Sequence, residues 1–134
     1  MDKEKTILFV CMKNSGRSQM AEAFFNALSK RGNAISAGVN PDKEIHPWTV
    51  ELMKDAGIDI SGNKPKPLTE KMMKKADIIV VMHPSIARNI PLKYLEKLKV
   101  WRIDSLLGKS KDDVVIIRDR IKEMVKHLIN EMKG

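Results

Sequence analysis

TILFV (Thr6 to Val10), CMKNSGR (Cys11 to Arg17) and SQMAEAFFNALSKR (Ser18 to Arg31) follow one another without a break. The first run is short, apolar and rich in β-favouring residues, so it predicts a buried strand. The second is polar, with Asn, Ser and Gly, and predicts a loop. The third repeats apolar residues at helical spacing, at Met20, Phe24, Ala27 and Leu28, and Gly32 suits its C-terminal stop. A strand that passes through a glycine-containing loop into a helix is the opening unit of an α/β fold.

Further along the chain the alternation continues. Ala34 to Ala37 predicts a second strand and Gly38 to Glu44 a loop. Pro47 opens a helix that runs to about Ala56 and stops at Gly57. Ser61 to Pro67 is a connection, and Thr69 is the N-cap of a helix through Lys75. DIIVVM (Asp77 to Met82) is a third buried strand. Short helical or irregular pieces broken by Pro91 fill Pro84 to Leu98, and Val100 to Ile103 is a fourth strand. After a loop at Ser105 to Ser110, Lys111 to Lys133 forms a long amphipathic helix. Its apolar stripe is Val114, Ile117, Ile121, Met124 or Val125, Leu128 and Met132. Strands alternating with helices imply right-handed crossovers, hence one four-stranded parallel sheet with helices on both faces, a single α/β domain over residues 1–134. Ligands of such sheets sit at the carboxyl ends of the strands. Cys11 follows the first strand and Asp104 the fourth, so the two are expected to face one crevice.

Composition narrows the function. The chain has 134 residues, 43% of them hydrophobic and 31% charged, in the range of an ordinary globular protein. No apolar stretch approaches the roughly 20 residues that span a bilayer, and the N-terminus lacks the apolar core of a secretory signal. A cytoplasmic protein without membrane contact is expected. The single cysteine rules out an intrachain disulfide framework. His46, His83 and His127 are scattered without metal-ligand spacing, so no metal and no cofactor is expected. The net charge of +8 admits nucleic-acid binding, but the lysines are spread along the chain and aromatic residues are only 4%. Without stacking platforms, a solvated basic surface that draws in an anionic substrate is the better reading.

The chemistry concentrates in the first loop. Cys-x5-Arg alone is a weak motif, and its setting between a strand and a helix start strengthens it. A loop wrapping into a helix N-terminus turns backbone N–H groups inward, and with the helix dipole they make an anion nest. Met12, Lys13, Asn14, Ser15, Gly16, Arg17 and Ser18 are the expected oxyanion-binding set. Arg17 adds a planar guanidinium able to grip two oxygens of a tetrahedral anion. The same positive field favours a thiolate at Cys11, placed for in-line attack on the central atom of the anion. Gly16 permits close approach or an unusual dihedral. Asn14 tolerates a left-handed conformation and braces the loop. Ser18 either donates its hydroxyl to the sulfur or caps the helix. For the proton that a leaving oxygen needs, Asp104 is the leading acid. Asp112 and Asp113 are rivals, better read as acids that favour a helix N-terminus. A small buried hydrophobe is the bland reading of Cys11, and it leaves Lys13-Asn-Ser-Gly-Arg17 without purpose.

VCMKNSGRSQMAEAFF (Val10 to Phe25) resembles the phosphate-binding loop, a P-loop of the Cys-x5-Arg kind, and first helix of the low-molecular-weight protein tyrosine phosphatase superfamily. Its wording is nearer to the arsenate reductase branch. ISAGVNP (Ile35 to Pro41), ELMKDAGIDIS (Glu51 to Ser61), KPLTE (Lys66 to Glu70), ADIIVVM (Ala76 to Met82), VWRID (Val100 to Asp104) and IRDRI (Ile117 to Ile121) extend the resemblance over nearly the whole chain. It implies a cytosolic, Rossmann-like four-stranded parallel sheet. It also implies Cys11 as nucleophile, Arg17 as oxyanion clamp, Asn14 and Ser18 as supports of the loop and thiolate, and Asp104 as general acid. Three features depart from the family. The acid usually stands in Asp-Pro, whereas here Asp104 precedes Ser105. Thioredoxin-linked arsenate reductases carry two further cysteines after the third strand, and MHPSIARNIP (Met82 to Pro91) has none. An internal disulfide relay therefore cannot form, and reduction of arsenate would need an outside thiol, a small thiol or a redoxin. Tyrosine phosphatases of the family place aromatic residues beside the acid loop, but Ser105-Leu-Leu-Gly108 has none, and Trp48 and Trp101 read as packing residues.

The expectation is a cysteine-nucleophile enzyme acting on phosphate, arsenate or a phosphomonoester, first as an arsenate reductase with an external thiol. The alternatives are a phosphatase working through a phosphocysteine and a non-catalytic oxyanion-binding module.

Overall fold

The structure, a computed structural model, describes residues 4–30 and 32–133. Four parallel strands form one sheet in the order β2-β1-β3-β4, with β1 at Lys5–Cys11, β2 at Gly32–Gly38, β3 at Ile78–Val81 and β4 at Leu98–Val100. The chain leaves β1 toward β2 on one side and returns past it to β3 on the other. Right-handed crossovers then put the covering helices on opposite faces. The helix α1 (Arg17–Leu28) packs against β1, β2 and the long helix α5 (Lys111–Lys133), and α2 (Pro47–Asp55) joins them through α5. On the other connections, α3 (Glu70–Lys75) lies against β1 and α4 (Pro84–Ala87) against β3. The winding reverses between β1 and β3, the place in such sheets where ligands bind at the carboxyl ends of the strands, and Cys11 closes β1 there.

Burial explains the elements. Ile7, Leu8, Phe9 and Val10 are all fully buried, as a central strand covered on both faces requires. Met20, Phe24 and Phe25 seat α1, each worth roughly 1.5–3 kcal/mol of apolar transfer. In α5 the buried stripe is Val114, Ile121, Val125 and Leu128, so Val125 rather than Met124 is the inward residue. Thr69 caps α3, its side chain accepting from Met72 N at 3.2 Å. Phe9 meets Trp101 at 5.6 Å between ring centroids, and Trp101 is a packing residue. Trp48 is half-buried in the first turn of α2, its ring 5.4 Å from that of His46.

Two expectations need correction. The fourth strand is Leu98–Val100, earlier than Val100 to Ile103. The charged residues Lys97 and Lys99 disguise its start, although the ladder to β3 does continue through Trp101 N to Val81 O at 2.9 Å and Ile103 N to Met82 O at 2.8 Å. Gly32 is no helix stop. α1 ends at Leu28, Ser29 is its C-cap, and Gly32 opens β2 with φ 131 against Lys5, where a Cβ would lie 2.5 Å from the Lys5 carbonyl oxygen. Arg31, the expected end of the helix, lies outside the described residues.

Candidate active site

The loop between β1 and α1 is built by turning its carbonyls outward. In a planar trans peptide the C=O and the following N–H point in opposite directions. Cys11 O accepts from Val39 N at 3.1 Å, Met12 O from Asn40 N at 2.8 Å, and Lys13 O from Asp42 N at 3.0 Å. Ser15 O accepts from His46 N at 3.0 Å and from Thr49 Oγ1 at 3.0 Å. Each anchored carbonyl aims the next N–H, those of Met12, Lys13, Asn14 and Gly16, away from this outer wall and into the loop. The Asn14 N–H shows the result, because it donates to Cys11 Sγ at 3.2 Å. Among the described residues no protein acceptor takes the N–H of Met12, Lys13 or Gly16. Inward N–H groups beside a helix N-terminus are what a tetrahedral anion needs.

Asn14 is the one described non-glycine residue with positive φ, at 51°. Its side chain is fully used. Nδ2 donates to Ser18 Oγ at 2.8 Å and Ser36 Oγ at 2.9 Å, while Oδ1 accepts from Gln19 Nε2 at 3.0 Å and Lys66 N at 2.9 Å. Ser18 Oγ accepts from Asn14 Nδ2 and lies 2.7 Å from Cys11 Sγ, a contact in which a thiolate would take the hydroxyl proton. Ser18 therefore serves the sulfur and does not cap the helix, whose N-cap is Gly16. The Asn14 N–H and the Ser18 hydroxyl thus converge on a buried sulfur. Gly16 answers to close approach, since a Cβ there would lie 2.5 Å from Leu106 Cδ1.

Arg17 opens α1 and reaches across to the segment after β4, donating through Nη1 to Ile103 O at 2.8 Å. Burial pushes its guanidinium below the ordinary value, and the charges of Cys11 and Asp104 pull it back up. Arginine starts so high that it stays charged. Asp104 is exposed and near enough for its charge to act on Arg17, so the structure gathers Cys11, Arg17 and Asp104 at one end of the sheet. It does not gather Asp112 and Asp113 there as acids. They lie in the first turn of α5, where Asp113 N donates to Ser110 Oγ at 3.1 Å and Ser110 N to Asp113 Oδ2 at 3.4 Å, a reciprocal cap.

The histidines have structural partners. His46 and His83 cap α2 and α4, each Nδ1 accepting a backbone N–H at 3.1 Å, and His127 pairs with Glu131 at 3.2 Å. Among the described residues no group of three or more His, Cys, Asp or Glu is placed to hold a metal ion. No described helix is long and apolar enough to cross a membrane.

Sequence reasoning missed the wall behind the loop. Gly38 faces Cys11 in register, and a Cβ on it would come 2.9 Å from Asn14 N, Lys13 C and Met12 O. A glycine closing the strand next to the cysteine-bearing one was the available signal. Ser15 Oγ donates to Asp42 Oδ2 at 2.7 Å, and neither Asp42 nor Thr49 carries any mark in the sequence.

Comparison with known proteins finds relatives along nearly the whole chain. The family described as "Low molecular weight phosphotyrosine protein phosphatase" matches residues 6–134. The arsenate reductase of Staphylococcus aureus is 36% identical over 124 residues, 91% of this chain and 93% of the relative. The glutaredoxin arsenate reductase of Synechocystis is 30% identical over 127 residues, 93% of this chain and 96% of the relative. Among solved structures, the low molecular weight protein tyrosine phosphatase of T. tengcongensis superposes with a TM-score of 0.86 at 28% identity, covering 96% of this chain and 99% of that one.

Proposed function

Starting from the premise that the chain belongs to the low molecular weight phosphotyrosine protein phosphatase family, we propose that this cysteine-nucleophile enzyme reduces arsenate with a resolving thiol supplied from outside. The observation that carries the reading is the lone sulfur of Cys11, held by Ser18 at 2.7 Å and Asn14 N at 3.2 Å inside a loop of inward N–H groups. Cys11 attacks arsenic while Arg17 and the backbone amides hold the oxygens. Asp104 gives the proton with which one oxygen leaves as water. An external thiolate then attacks the Cys11 sulfur. The S–As pair passes to arsenic, arsenite departs with arsenic reduced by two electrons, and Cys11 is left in a mixed disulfide. A second outside thiol frees Cys11 and carries the disulfide away.

The name of the Synechocystis relative supports a redoxin as the donor. With one cysteine in 134 residues, both thiols of the resolving couple must come from beyond this chain. A reducing cytoplasm suits such chemistry.

The phosphatase reading rests on the same cradle and on the likeness to the T. tengcongensis enzyme. There Cys11 takes a phosphoryl group, Asp104 protonates the leaving oxygen, and Asp104 then activates water against the phosphocysteine. Leu106 and Leu107 stand beside the acid where an aromatic pair would clasp a phosphotyrosine ring, so aryl phosphates gain no stacking there.

The two readings separate in one experiment: arsenite release with a small thiol or glutaredoxin added, beside hydrolysis of p-nitrophenyl phosphate. Thiol-dependent arsenite release well above the rate of the Cys11→Ser protein is the expected result. Phosphate-ester turnover without arsenite release reverses the assignment, and neither activity leaves only an oxyanion-binding module.

A further inference from the structure

Ser15 lies in the cradle, yet its hydroxyl points away from it, to Asp42 Oδ2 at 2.7 Å. The same Asp42 donates its backbone N–H to Lys13 O at 3.0 Å. One residue thus grips the loop on both sides of Asn14, the described non-glycine residue with φ 51. A left-handed residue of this kind persists only where its surroundings over-determine it. Asn14 is also the residue whose N–H reaches Cys11 Sγ at 3.2 Å and whose amide orients Ser18.

A neutral acceptor would serve the Ser15 hydroxyl. A carboxylate forms a stronger, charge-assisted bond, but it also sets a negative charge beside a pocket for anions. Asp42 is exposed, so this repulsion is one that salt screens.

We propose that Asp42 is a positioning residue that holds the Asn14 turn of the oxyanion loop through Ser15 and Lys13, at a cost in affinity for the anion. The inference rests on the oxyanion-enzyme reading above, and it commits to inorganic phosphate and arsenate as the ligands whose binding it controls. Asp42 touches neither the reacting atoms nor the anion. Its removal acts through Ser15.

Three variants test this: Asp42→Ala, Asp42→Asn and Ser15→Ala, with the double variant Asp42→Ala/Ser15→Ala. Turnover is read in whichever of the two assays the wild-type chain performs, and inorganic phosphate binding is read by calorimetry at low and high salt. Asp42→Ala is expected to lower kcat about tenfold, the worth of one charge-assisted hydrogen bond. Asp42→Asn keeps the acceptor, so its kcat stays within about twofold of wild type. It binds phosphate about two- to threefold more tightly at low salt, and the gain fades as the Debye length shrinks. Ser15→Ala lowers kcat as Asp42→Ala does, and the double variant is no worse than either. Full activity of Asp42→Ala, additive losses in the double variant, or an Asp42→Asn protein as impaired as Asp42→Ala would overturn the proposal. Should Asp42→Ala fail to fold, Ser15→Ala removes the same bond from the other side, and its unchanged kcat would overturn the proposal equally. A wild-type chain that binds neither phosphate nor arsenate instead removes the oxyanion reading on which this one stands.

Discussion

Two segments meet at the carboxyl end of the sheet, and they are held in different ways. The loop from Cys11 to Gly16 has its carbonyls tied to the strand-end segment after Gly38, and Asn14 is buried with all four hydrogen-bonding sites of its side-chain amide engaged. The segment from Asp104 to Gly108 is mostly exposed, with Leu107 at 88%. It is held by Lys109 N to Leu106 O at 3.1 Å, Leu107 N to Ser105 Oγ at 3.2 Å and the seat of Leu106 against Gly16. Arg17 joins the two through Ile103 O. The division fits the proposed chemistry. A nucleophile and an anion cradle must be preorganised, whereas the group that serves leaving oxygens of different shapes needs room.

The contrast is open to direct attack, and the largest effect belongs to the buried loop. Cys11→Ser is expected to lower turnover by at least about 10⁴-fold in either assay, because a hydroxyl is a far weaker nucleophile. Phosphate binding should survive, because the amide cradle is unchanged. Loss of both would mean that the sulfur shapes the loop as well as reacting. Arg17→Lys comes next. A point-charge ammonium cannot span two anion oxygens while also holding Ile103 O, so kcat/KM is expected to fall about 10²–10³-fold. A lysine variant near wild type would show that the cradle works through amides alone.

On the exposed side, Asp104→Asn is expected to cost about 10²-fold with an alkyl phosphate, whose leaving oxygen must be protonated. The cost should drop to a few-fold with p-nitrophenyl phosphate, which leaves readily as an anion. Equal losses with both esters would place the proton donor elsewhere. The same substitution should change kcat more than KM, as befits a group needed only in the transition state.

How much of this was legible depended on whether side chains or backbone carried the information. β1 and β3 announce themselves because strands buried on both faces must be apolar at every position, as Ile7 to Val10 and Ile79 to Val81 are. β4 starts at the sheet edge between Lys97 and Lys99, with Val100 48% exposed, so the apolar signal falls late. Gly32 marks a positive φ correctly but not which element needs it. In the candidate site, the loop proposed to grip an anion is readable because its composition is local: a sulfur, a guanidinium, a glycine and small polar residues in seven positions. The wall behind it is not. Val39, Asn40 and His46 serve through their main-chain N–H groups, which any residue but proline could offer, and Asp42 and Thr49 look like ordinary surface and helix residues until the chain folds.

Two glycines give the comparison its smallest and cleanest test, because one backs the first segment, the other lies in the second, and neither reacts. Gly38 backs the buried loop, and an added Cβ would lie 2.9 Å from three main-chain atoms, which cannot swing aside as a side chain can. Gly38→Ala is therefore expected to destabilise the fold by about 1–3 kcal/mol, the usual cost of overpacking. It should also lower turnover, because the relief must come from moving Met12 to Asn14. Gly108 in the acid segment has φ 75 and nothing within 4 Å of an added Cβ, so Gly108→Ala meets only the backbone penalty, about 1 kcal/mol. Turnover of that variant should change little, since a loosely held segment can absorb the shift without touching the sulfur. Denaturant melts and kcat of the pair decide the matter. If Gly108→Ala loses activity as steeply as Gly38→Ala, the acid segment is as rigidly specified as the cradle, and the proposed division of labour between a fixed nucleophile and a tolerant acid is wrong.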